Sequence, residues 1–400
     1  MSIKHKFILV ILAVLLSGTL ILTSCTGGIA RGWAGGAVYN GDLFVASMKG
    51  RIIAVDASNN AVLGKPVLLT VPTSSGILGC SPSAAPLEIY ASPLVINTTD
   101  PGTVVFVAGV DGKIHGFLFK DGALVEKNPS WLSEPLGGQI YGGIATDNNV
   151  VYAATATGTI YALNAKDLSI KWSHKIDSKV WSTPVVSGDT LYIGCFNKTV
   201  YALNLADGKE KWNKKLDGSI NAPPLVLDNK VFIGDYSRHF YALDAATGNI
   251  VWKFPGDDTA AGNPQNWFWA APVTLNGIIY APSLDGNIYE LDAATGTLKD
   301  TITLGDSISS SPVLVGNTLV ATTAVVSYAP TKQRGKVYII DITNNNHREV
   351  DFPPNEEVNA PLFTSGSNVY FHTTKDNLFS IDTAVKDSQI KLIFNLSSVK

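Results

Sequence analysis

Little in this sequence announces chemistry. Three cysteines in 400 residues are too few for a disulfide-stapled scaffold. No CxxC, HExxH, GxSxG, Walker or EF-hand pattern occurs, so the common metal, nucleophile and phosphate motifs are missing. Charged residues make up only 16%, and the formal net charge is −3. That balance gives no electrostatic reason to expect nucleic acid. Methionine is rare, at 2, and no helical period of 3.6 is sustained beyond the N-terminal segment. What remains is Val, Ile, Thr, Tyr and Gly, with 36 glycines and 20 prolines: a turn-rich composition that favours strands.

The one long apolar run is at the start. Lys4 and Lys6 precede a mostly apolar stretch from Phe7 to Leu22, which ends in Leu22-Thr23-Ser24-Cys25. As a helix the run is about 24 Å long, short of the roughly 30 Å hydrocarbon core. It therefore reads as a signal peptide over 1–24. The tetrapeptide resembles a bacterial lipobox, which implies diacylglycerol on Cys25 and a short tether over 25–32, and leaves 33–400 as the body of the chain. A plain signal peptide or a short uncleaved anchor is the alternative. Cys80, in a loop by composition, and Cys195, in a strand, then read as two separate thiols, although an exported chain permits their pairing.

The body of the chain is repetitive. The segments 151–172, 191–212, 231–252 and 279–300 align with one another. Tyr161, Tyr201 and Tyr241 are spaced by 40 residues, and so are Trp172, Trp212 and Trp252. A fixed period of this length marks a propeller or a solenoid. Each copy reads as four short strands separated by turns, which is the blade of a β-propeller. Weaker copies at 35–58, 91–122, 310–342 and 359–383 bring the count to eight, with Ile53, His115, Tyr338 and Phe379 in the tyrosine position. Seven blades is the fallback if 91–131 is irregular. Both terminal copies look complete, so blade one is expected to pack on blade eight without strand exchange.

The stretch 242–252, "ALDAATGNIVW", resembles the tryptophan-docking motif of the PQQ-enzyme-repeat family. The resemblance implies an eight-bladed, all-β propeller in which Trp172, Trp212 and Trp252 dock on a neighbouring blade. Gly208, Gly248 and Gly296 occupy the turns, Leu168 replaces the glycine of one copy, and Asp300 stands where a fourth Trp is expected. Two groups share this repeat. One is the PQQ-dependent dehydrogenases, with carboxylate-bound calcium and often adjacent cysteines. The other is the non-catalytic lipoproteins similar to the propeller component of the outer-membrane barrel-assembly machinery. This chain has no adjacent cysteines, and its carboxylates, such as Asp207, Asp244 and Asp292, lie mainly in turns. The second group matches better. It implies no catalytic residue, no cofactor and no metal, with a partner among membrane-associated proteins and a chain that is monomeric alone.

The binding surface is sought at the channel mouth. The position that opens each innermost strand reads Trp33, Tyr90, Tyr141, Trp181, Asn221, Trp269, Ser309 and Asn359. These residues either fill a wide channel or contact a ligand. Three long connections, 70–88, 255–268 and 327–336, belong to loop classes that share one face with that ring. His115, His174, His239, His347 and His372 are scattered over the repeats and read as strand or surface residues. Lys171, Lys175, Lys211, Lys214 and Lys215 read as a solvated outer rim. The expected protein is a lipid-anchored scaffold on the outer face of the cell membrane, or on the outer membrane if the cell has one. A quinoprotein dehydrogenase and a propeller that captures a small ligand or glycan are the alternatives.

Overall fold

The computed structural model describes residues 34–399 apart from 48, 73–83, 98–101, 127–130, 148, 260–261, 325–334, 345 and 354–355. Cys25, Trp33, Cys80, the 1–32 segment and most of the 327–336 loop therefore lie outside the described residues. Eight four-stranded antiparallel sheets follow one another along the chain, over 36–68, 94–126, 145–175, 185–215, 225–254, 273–303, 313–351 and 363–395. They are the eight blades of a β-propeller, and the four strands between 94 and 126 pair as a complete second blade. Strand order within each sheet is sequential. Blade one is built wholly from the N-terminal side and blade eight wholly from the C-terminal side, with no exchanged strand among the described residues.

Blade four shows how sequence makes a blade. β15 (Val185–Ser187), β16 (Thr190–Gly194), β17 (Thr199–Asn204) and β18 (Glu210–Lys215) run outward from the channel. β16 is buried on both faces, with Leu191, Tyr192 and Ile193 in succession, whereas β18 buries only Trp212 and part of Lys214. A central strand covered on both sides has no need to alternate; an outer strand does. Across the sheet, Tyr192, Ala202 and Trp212 stand opposite one another. The indole tilts against Tyr192, with ring centroids 5.9 Å apart. The small Ala202 between them leaves room for both rings.

Trp212 then reaches the next blade. Its Nε1–H donates to the Ala245 carbonyl at 2.9 Å. Trp172 does the same to Leu205 at 2.8 Å and Trp252 to Ala293 at 3.2 Å. The six-membered ring of each indole covers a glycine of the receiving turn: Gly208, Gly248 or Gly296, all with φ between 70° and 72°. Such a φ is costly for any residue with a β-carbon.

A fourth tryptophan holds the equivalent position. Trp131 follows β10 (Ala123–Glu126), and its Nε1–H donates to Lys166 O at 2.6 Å. Here the receiving turn has Leu168 at φ 57°. Between blades seven and eight an arginine does the work: Arg348 Nη1 donates to Ser388 O at 2.6 Å. In blade six the row reads Tyr280, Glu290, Asp300, two carboxylates facing each other across the strand pair.

The ring closes through a buried polar cluster. His372 and Asp376, both almost fully buried, bond at 3.1 Å, and His372 Nδ1 also contacts Ala34 O at 3.0 Å. Asp376 accepts from Ser47 Oγ of blade one at 3.2 Å and from Ser397 Oγ. Arg51 donates to Leu396 O at 3.3 Å and to Ser397 O. Leu396 is buried among Leu43, Val45, Tyr370 and Leu378, which come from both terminal blades.

Candidate functional site

The residues leading into the innermost strands follow a pattern of apolar, variable, small. Val180 is fully buried, Trp181 is 36% exposed and Ser182 is buried again. Ile220, Asn221, Ala222 and Phe268, Trp269, Ala270 repeat this, with the middle residue half-buried. In extended chain the middle side chain points away from the other two, here into the channel mouth. The small residue is required by proximity. A β-carbon on Gly142 would stand 2.5 Å from Ser182 O of the next blade.

These leads are braced on both sides. Ile220 N–H donates to Cys195 O of the preceding blade at 3.1 Å, and Tyr236 N–H donates back to Ser219 O at 2.9 Å. Phe268 N–H to Asp235 O at 3.3 Å and Leu284 N–H to Trp267 O at 2.9 Å are the same pair one blade on. Hydroxyls tie neighbouring leads together. Gly143 N–H donates to Thr183 Oγ1 at 2.7 Å, Ala271 N–H to Ser311 Oγ at 3.0 Å, and Ser309 Oγ to Asn359 Oδ1 at 3.0 Å.

The result is a cup of about 360 Å³ at the channel mouth. Tyr90, Tyr141, Trp181, Asn221, Trp269, Ser309 and Asn359 all line it, with Ser92, Thr183 and Ser311 among the residues beside them. No Asp, Glu, His, Lys or Arg is among the described lining residues. The aromatic members continue into a belt. Tyr90 meets Tyr141 at 5.2 Å, Tyr141 meets Trp181 at 5.3 Å, and Trp181 meets Phe196 at 4.9 Å. Phe196 lies 6.1 Å from Tyr236, which stacks with Trp267 at 4.6 Å and with Trp269 at 5.6 Å. Trp267 is 42% exposed. The sequence reading does not single out Phe196, Tyr236 or Trp267; for Phe196 and Tyr236 the available signal is an aromatic just after a buried residue in a second-to-third-strand loop, whereas Trp267 lies in the 255–268 connection.

Beside the belt, the 255–268 loop is fastened to blade five. His239 Nε2 contacts Asp258 Oδ1 at 2.8 Å. Its Nδ1 is 3.4 Å from Asp217 Oδ2 but makes no hydrogen bond there. Lys253 Nζ, 2.9 Å from Asp217, holds that carboxyl below its ordinary range. Fully buried Asp235 accepts from the Gly218, Ser237 and His239 amides at 2.7 to 3.0 Å, yet burial outweighs these bonds and raises its pKa. Further along, Gln265 N–H donates to Asp285 Oδ2 at 2.8 Å. The 70–88 connection carries a two-stranded ribbon of β5 (Thr70–Pro72) and β6 (Ala84–Pro86).

The five histidines named above stand on blades two, three, five, seven and eight. Among the described residues no three His, Cys, Asp or Glu side chains converge to hold a metal. Calcium takes six to eight oxygen ligands, with carboxylates prominent. A lining of indole, phenol, amide and hydroxyl does not fit a calcium-held quinone. Trp172, Trp212 and Trp252 are not among the residues that line the cup. Cys195 is buried beneath the mouth, its thiol pushed up to about 12 by burial.

The architecture is shared with known structures. The crystal structure of BamB from Moraxella catarrhalis aligns with a TM-score of 0.59 at 18% identity, over 81% of this chain and 90% of that one. The computationally designed Ika8 protein aligns with a TM-score of 0.66 at 16% identity, over 92% of this chain and 97% of that one. At these identities the likeness is one of fold. No curated protein sequence matches significantly. Residues 111–195 and 178–391, most of the propeller, match one family, and the chain belongs to it: the family described as outer membrane protein assembly factor BamB.

Proposed function

We propose that the chain is a non-catalytic adaptor that holds membrane-associated proteins at the extracytoplasmic membrane surface, in the assembly of membrane proteins. The observation that carries this reading is the gathering of the aromatic belt, with Trp181 and Trp267 exposed, and the 255–268 loop on one braced face. Large aromatics at a rigid, half-exposed surface are what protein interfaces use as anchors. The family's description as an assembly factor supports the same role. Removal of residues 1–24 and acylation of Cys25 complete the proposal. The tether of residues 26–32 then reaches about 25 Å, which keeps the propeller close to the bilayer.

Two experiments test it. Cys25→Ala should move the protein from the membrane to the soluble fraction; retention after a carbonate wash would overturn the lipid anchor. Photocrosslinkers at Asn263 and Trp267 should capture membrane-associated proteins. Probes at Asp207 and Thr247, in turns between third and fourth strands, should not. Capture mainly from the second pair would overturn the assignment of the docking face.

A further inference from the structure

We propose that the cup at the channel mouth is a binding site for a neutral carbohydrate, held against the indoles of Trp181 and Trp269. The belt shares Tyr90, Tyr141, Trp181 and Trp269 with the cup, but this proposal does not rest on the adaptor reading, whose test is at Asn263 and Trp267 in the 255–268 loop.

Shape comes first. An extended peptide needs an open groove or a free sheet edge along which to run. The cup is walled by leads from blade after blade, and the Thr183, Ser311 and Ser309 hydrogen bonds tie three neighbouring pairs of them. A volume of about 360 Å³ is at the small end of ligand sites and has room for roughly one or two sugar rings.

Charge comes second. With no ionisable lysine, arginine, histidine or carboxylate in the described lining, a charged ligand would lose its hydration and gain no partner. Phosphates, carboxylates and amines are disfavoured for that reason.

The remaining polar groups select among neutral ligands. Among the described residues nothing hydrogen-bonds the indole N–H of Trp181, that of Trp269, or the Asn221 amide, and all three residues line the cup. Asn359 has given only its Oδ1, to Ser309. Two donors on large apolar rings, with amides and hydroxyls between them, suit a molecule that alternates C–H patches with hydroxyls. A pyranose is such a molecule; a purely apolar ligand would strand the amides.

The test uses the full-length chain in an amine-oxide detergent, which carries no sugar. Maltose, cellobiose and N,N′-diacetylchitobiose are titrated by calorimetry and by tryptophan fluorescence, with glucuronate as the charged comparison and a prolyl tetrapeptide as the peptide comparison. At least one disaccharide should bind with about millimolar affinity and change the emission. Trp181→Ala and Trp269→Ala should each weaken it by about tenfold or more. Ile250→Ala, on an exposed outer strand, should leave it unchanged. Thermal melts close to the parent's would show that the indole variants remain folded; for a variant that does not fold, Asn221→Ala supplies the same readout. The proposal is overturned if no disaccharide binds below about 10 mM, if binding survives both indole substitutions, or if glucuronate or the tetrapeptide binds more tightly. Loss of sugar binding with Asn263 crosslinks intact would separate this site from the docking face.

Discussion

The indole of Trp212 covers the α-carbon of Gly248 so closely that a β-carbon there would stand 2.6 Å from Cε3. One residue is in blade four and the other in blade five, so a single contact carries both packing and register between sheets. Truncating a buried tryptophan typically costs about 3–5 kcal/mol. Trp212→Ala should therefore lower the denaturation midpoint substantially. Gly248→Ala should also destabilise, by at least about 1–2 kcal/mol, because the left-handed φ and the ring both oppose a β-carbon. An unchanged midpoint for either variant would remove the contact from the account.

Leu168 tests the same device where the glycine is absent. Its φ of 57° is unfavourable, so glycine looks like an improvement. But Leu168 is 3% exposed and belongs to the buried cluster that contains Trp131. Loss of a buried leucine side chain costs about 2–5 kcal/mol, against roughly 1–2 kcal/mol of backbone relief. Leu168→Gly should thus be destabilising in chemical denaturation; a gain in stability would show that strain outweighs packing here.

In blade six, burial and then the facing Asp300 raise the Glu290 carboxyl above its ordinary pKa. The same carboxyl helps to push Tyr280 up to about 12, after burial. A raised carboxyl supports the fold most when protonated. Its contribution is whole below the unfolded value of about 4.3 and is lost as pH rises through the native value. Glu290→Gln should match the parent at about pH 4 and exceed it at pH 7 by about 0.2–1 kcal/mol, the usual size for a half-exposed cross-strand charge pair. Stability curves against pH would show a difference that opens with rising pH; a constant offset would exclude the ionic cause.

Ring closure joins the two terminal blades through a shared apolar cluster in which Leu396 is fully buried. Leu396→Ala should cost about 2–5 kcal/mol. It should also expose the seam between blades one and eight to amide hydrogen exchange before the blade-four to blade-five interface opens. Uniform exchange across all interfaces would contradict this.

Much of the architecture was legible because the repeat is tandem. Tyr161, Tyr201 and Tyr241, with Trp172, Trp212 and Trp252, carry a 40-residue spacing that survives substitution between them. The positions of Tyr90, Tyr141, Trp181 and Trp269 at the mouth followed from counting back to the start of each blade. Trp131 did not follow, because it stands five residues past Glu126, the last residue of β10, and Leu168 stands where the receiving glycine is expected. Phe196, Tyr236 and Trp267 sit on loops, and their contact with one another depends on the closed ring rather than on local pattern. Arg348 replaces a tryptophan with a chemically unrelated donor of similar reach. The closure cluster joins Ser47 to Asp376 across 329 residues, a separation no periodicity can report.

Because every sheet is drawn from one contiguous stretch, the described residues have no topological seam other than the place where the first and last blades meet. A circular permutant with the old ends joined and new ends cut between blades four and five would contain the same eight sheets. Only the closure contacts would change address. Synthesis from the N-terminus would let seven interfaces form in order of arrival. The eighth waits for Leu396, which follows the last strand of blade eight, to reach blade one.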